Sequence, residues 1–128
     1  MKKIFDEKYE SDGITSRNVW VSELPLLKKI EYGKIVDLND PEKQDSILSV
    51  IKEVLAEEDS ADEYNFYFYS NQTTKDALDE NIRPSLMVQI SEGRVFSHVN
   101  MSDYDFATNL QNLLDASMNL EEKIEEIL

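Results

Sequence analysis

Cysteine is absent from this chain of 128 residues, and histidine occurs once. Without a thiol there is no disulfide, no thiolate metal site and no cysteine nucleophile. With one histidine, His98, a zinc site would need carboxylates alone to complete it, and zinc is not usually held that way. Glycine is confined to Gly13, Gly33 and Gly93, so no Gly-rich loop exists to cradle a phosphate. Apolar runs never exceed a few residues, which leaves nothing that reads as a membrane span. Met1-Lys2-Lys3 has the charge of a signal-peptide start. Ile4-Phe5 then runs straight into Asp6-Glu7-Lys8, so the apolar region such a peptide needs is missing. A cytoplasmic chain is the expectation.

Basic residues are the other scarcity. Thirteen Lys and Arg face 27 Asp and Glu, for a formal net charge of −14. The deficit is uneven. Residues 1–35 carry seven bases and six acids, while residues 36–128 carry six bases and 21 acids. Self-repulsion on this scale costs stability and raises solubility. Nucleic acid and anionic membranes would be repelled by most of such a surface, whereas a basic protein would be steered toward it.

What is present is enough for a core. Hydrophobic residues make up 41% of the chain, an ordinary globular share, so the charge does not imply disorder. Length predicts one domain over 1–128. Residues 1–18 are polar and read as a loosely structured lead-in with room for a short strand. Val19 to Val21 reads as a strand around Trp20, and Leu24 to Ile30 as a short apolar patch interrupted by Pro25. Ile35 to Leu38 reads as a strand. Asp40 and Pro41 then open a helix, the first accepting from free first-turn amides and the second losing only an amide without a partner. Ile47, Leu48, Ile51, Val54 and Leu55 give that helix one apolar stripe. Tyr64 to Tyr69 carries aromatics on both faces, so it is placed centrally in a sheet with Phe66 and Phe68 buried. Thr73 to Asn81 reads as a short helix facing inward through Ala77 and Leu78. Arg83-Pro84 ends it. Leu86 to Ile90 and Val95 to Val99 read as a hairpin turning at Ser91-Glu92-Gly93. A last helix, capped by Ser102 or Asp103, carries Phe106, Leu110, Leu113 and Leu114. It ends or restarts near Asn119, and Leu120, Ile124, Ile127 and Leu128 form a second stripe. The fold class is therefore α/β, with a mixed sheet covered by helices.

That order, with Ile82-Arg83-Pro84-Ser85-Leu86-Met87-Val88 followed by Glu92-Gly93-Arg94-Val95, resembles the thioredoxin fold over residues 33–117. The resemblance implies a cis-proline at Pro84, a glycine hairpin after it and a closing helix. The family's redox pair would fall near Asn39-Asp40-Pro41-Glu42, where this chain has no cysteine. The resemblance thus implies a fold without oxidoreductase activity.

His98 shares the strand face of Phe96 and reads as a surface or edge histidine. Asp37, Asn39 and Asp40 lack the glycine and distal glutamate of a calcium loop, and a helix cap accounts for Asp40. The aromatic strand could stack bases, but the neighbouring carboxylates favour core packing. No catalytic residue, metal site or cofactor is assigned. The acidic run Glu57, Glu58, Asp59, Asp62 and Glu63, joined by Asp76, Asp79 and Glu80, is the candidate partner-binding surface. A solvated loop is the ordinary reading of such a run. The charge of the whole segment favours a small, acidic, non-enzymatic protein that neutralises a basic protein partner, for example an immunity or inhibitor protein against a nuclease-type toxin. The alternative is a redox-inactive thioredoxin-like adaptor or chaperone holding a peptide at the sheet edge or near Pro84. Oligomeric state is left open.

Overall fold

A computed structural model describes residues 2–11, 13–22, 41–57, 61–69, 81, 83–100 and 106–128. In chain order these form β1 (Lys2–Ser11), β2 (Ile14–Ser22), α1 (Pro41–Leu55), β3 (Glu63–Phe68), β4 (Leu86–Ser91), β5 (Arg94–Val99) and α2 (Phe106–Ile127). The sheet has five strands in the order β1-β2-β3-β4-β5. β2 and β3 are parallel, and the other three pairings are antiparallel. This is the mixed sheet with helices that the alternation of patterns predicts. α1 lies between the two parallel strands in sequence, as a parallel pair needs a crossover rather than a tight turn.

Register divides the sheet cleanly into two faces. Val19 pairs with Phe66, Phe66 with Val88 and Val88 with Ser97. Val21, Phe68, Leu86 and Val99 make the adjacent row. Phe66 and Phe68 are fully buried on this face. Ile47, Leu48, Val50, Ile51 and Val54 of α1 cover it, with Ala116, Leu120 and Ile124 of α2. Both helices thus serve one core. Lys123 Nζ donates to Gln44 Oε1 at 2.6 Å and ties the helices together. Among the described residues no helix is long and apolar enough to cross a membrane.

The second face is polar and aromatic. Trp20 stacks on Tyr67 with centroids 5.0 Å apart. The next row pairs Asn18 with Asn65, whose Nδ2 donates to Asn18 Oδ1 at 2.8 Å. Both amides are buried, so the bond satisfies groups that water cannot reach. His98 and Phe96 sit on this face at β5 and are exposed.

The N-terminal expectation needs correction. In place of the loose lead-in expected over 1–18, Lys2–Ser11 and Ile14–Ser22 pair as an antiparallel hairpin, with a bulge between Lys3 and Phe5. β1 is an edge strand, and edges tolerate the charge that made this segment look unstructured. Gly13, at φ 79, supports its turn. α2 also runs through Asn119 without a break, and Leu114 on it is exposed rather than inward. The Arg83–Pro84 bond is trans, unlike the form implied at Pro84 by the thioredoxin resemblance. The expected strand at 35–38, the helix at 73–81 and the cap at Ser102 or Asp103 lie outside the described residues, apart from Asn81. The β4–β5 turn is as expected, with Glu92 at φ 52 and Gly93 at φ 76. Positive φ at both central residues is the type I′ pattern that matches strand twist.

A candidate acidic site at one end of the sheet

The acidic run begins where α1 unwinds. Glu57 N donates to Val54 O at 3.2 Å, closing the last turn. Its side chain then turns to the sheet. Arg17 lies on the core face of β2, in register with Tyr64, and is only 3% exposed. Its Nη2 donates to Glu57 Oε2 at 2.5 Å, and the Glu57 side chain is 40% exposed. A guanidinium removed from water is costly unless a carboxylate meets it. Glu57 therefore neutralises a buried cation and fastens α1 to β2.

Asp62 and Glu63 are also engaged. Thr15 N donates to Asp62 Oδ2 at 3.0 Å, while Asp62 N donates to Thr15 O at 2.7 Å. This double contact aligns the start of β3 beside β2. Asp62 is exposed, so its charge still faces solvent. Glu63 lies on the second face, where Ser16 Oγ donates to Oε2 at 3.2 Å and Gln89 Nε2 donates to Oε1. Three acids of the run thus brace the sheet end. Glu58, Asp59, Asp76, Asp79 and Glu80 lie outside the described residues.

Beside the run is an open cleft of about 580 Å³, at the range of small ligand sites. Its walls come from three distant stretches: the β1–β2 turn, the entry to β3 and the β4–β5 turn, with Leu128 closing one side. Ile14, Tyr64, Ile90 and Leu128 give it apolar lining, and Asp62 and Glu92 line it with carboxylates. Ile14 is 46% exposed and Leu128 is 50% exposed. Sequence reasoning missed both the cleft and the Arg17–Glu57 pair. Neither has a local signal, because each joins residues about 30 or more positions apart.

The described surface as a whole is acidic. Among the described residues, ten exposed carboxylates face three exposed bases, Lys52, Arg83 and Arg94. The last turn of α2 has no base, and Lys123, the helix's one base, is turned to Gln44. In comparisons with known proteins, no family model matches this chain, and neither does a curated protein or a solved structure.

Proposed function

We propose that this chain is a small, acidic, non-catalytic binding protein that occupies and neutralises a basic protein, as an immunity or inhibitor protein does against a nuclease-type toxin. The observation that carries the reading is the imbalance of exposed charge, ten carboxylates to three bases over the described residues. Such a field steers a cationic partner into encounter and then offers carboxylates to its Lys and Arg. The second reading, an adaptor that holds a peptide, is favoured by Phe96 being exposed on β5, the last strand of the described sheet.

The test is capture of the partner from the native host, followed by binding kinetics across salt. A basic contact surface is expected, with an association rate that falls steeply from low to high ionic strength. A partner with an acidic or neutral contact surface, or a rate indifferent to salt, would overturn the reading and favour the adaptor.

A further inference from the structure

We infer that the cleft between the β1–β2 and β4–β5 turns receives a lysine or arginine side chain of the basic partner. This deepens the reading of the chain as a binder of basic protein and rests on it. The chemistry of the cleft is divided as such a side chain is divided. Ile14, Tyr64, Ile90 and Leu128 line it with apolar side chains, of which Ile90 is buried, and the exposed Asp62 and Glu92 add two carboxylates. Lysine and arginine bury an aliphatic stem and keep the cationic head at a polar margin. Among the described residues no base lines the cleft. Arg17 is occupied with Glu57 on the core face, and Arg94 belongs to the opposite face, in the row of Ser16 and Glu63. A carboxylate ligand would therefore meet only like charge there, and a purely apolar one would leave two carboxylates facing it.

Glu92 supplies a handle that separates binding from folding. It holds φ 52, a left-handed conformation that glycine and asparagine adopt more readily than glutamate. Replacing it should leave the fold at least as stable while removing one of the two carboxylates. Asp62→Asn keeps an oxygen able to accept from Thr15 N and removes the other.

The experiment is a titration of the intact chain, followed by amide NMR shifts, with three blocked tripeptides that differ only at a central arginine, lysine or norleucine. Norleucine presents the stem without the charge. Saturable shifts at Gly13, Asp62, Gly93 and Leu128 are expected with arginine and lysine and not with norleucine. Glu92→Asn should weaken the arginine peptide roughly tenfold, with an unchanged or higher Tm. Asp62→Asn should do the same if its melting is also unchanged. Equal binding of norleucine, or Glu92→Asn leaving affinity intact, would overturn the cleft assignment. Saturable shifts confined to α2 around Glu122 and Glu125 would overturn it too, yet would leave the basic-partner reading standing. No saturable shift anywhere with the cationic peptides would count against both.

Discussion

At the scale of single residues, the acidic run has two occupations. Glu57 is exposed enough to meet a partner, yet it also answers a buried guanidinium. Glu57→Lys should therefore destabilise the fold by on the order of 2–4 kcal/mol, since it leaves Arg17 facing a second cation. Urea denaturation would measure this, and the pair Arg17→Met with Glu57→Leu should cost less than Glu57→Lys alone. An unchanged urea midpoint for Glu57→Lys would mean the contact carries no net stability. That the run is acidic was legible in the sequence. That Glu57 faces Arg17 and Glu63 faces Ser16 and Gln89 was not, because register between distant strands has no local code.

Tyr69 gives a residue-scale pH dependence. Burial pushes its hydroxyl above the ordinary tyrosine range, and the side-chain hydrogen bond with Trp20 works the other way. A raised folded pKa favours the protonated form in the folded state. The stability it reflects is fully present below about pH 10 and is lost as pH rises through the folded value. Thermal melts between about pH 9 and pH 12 should show this decline, and it should be shallower in Tyr69→Phe. Identical pH slopes for the two proteins would remove the argument.

At the scale of elements, β5 ends the sheet of described strands opposite β1. It carries no acid, and its Asn100 N donates back to Ser85 O, so amides at alternate positions from Val99 point outward. One of these, Ser97 N, donates to Glu121 Oε1 of α2 at 2.7 Å, and Ser97 Oγ–H donates to the same oxygen at 2.8 Å. A charged side chain set across an edge blocks strand addition. Glu121→Ala should raise self-association, read as a concentration-dependent rise in mass by light scattering. The same protein with Ser97→Pro added should return to the mass of the unaltered chain. A Glu121→Ala protein of unchanged mass at all concentrations would show that the edge is protected by other means. The strands most legible in sequence were those with strong apolar or aromatic patterns, β3, β4 and β5. β1 was hidden because an edge strand need not alternate, and its charges argued for a loop.

At the scale of the whole molecule, the charge works against the fold as well as for a partner. Exposed carboxylates on α1, α2, the entry to β3 and the β4–β5 turn repel one another across a small body. Raising NaCl from about 10 mM to about 150 mM should shorten the Debye length from about 30 Å to about 8 Å and raise Tm. Differential scanning calorimetry would check this. A Tm that falls with salt would mean that attractive pairs such as Arg17–Glu57 outweigh the repulsion. The α/β class was legible from the alternation of patterns. The strand order was not, since it depends on which edges meet.

The parallel seam between β2 and β3 also sets the order in which the chain can assemble. Asn18 and Asn65 are 47 residues apart, both are buried, and their amides bond to each other across the seam. The two hairpins on either side close over a few residues each, so they can form early at little entropic cost. The seam must wait. While the chain is being made, β2 emerges long before β3, with Val19 and Val21 bare along one side. Until Phe68 has left the ribosome, the first hairpin is half of an interface whose other half does not yet exist.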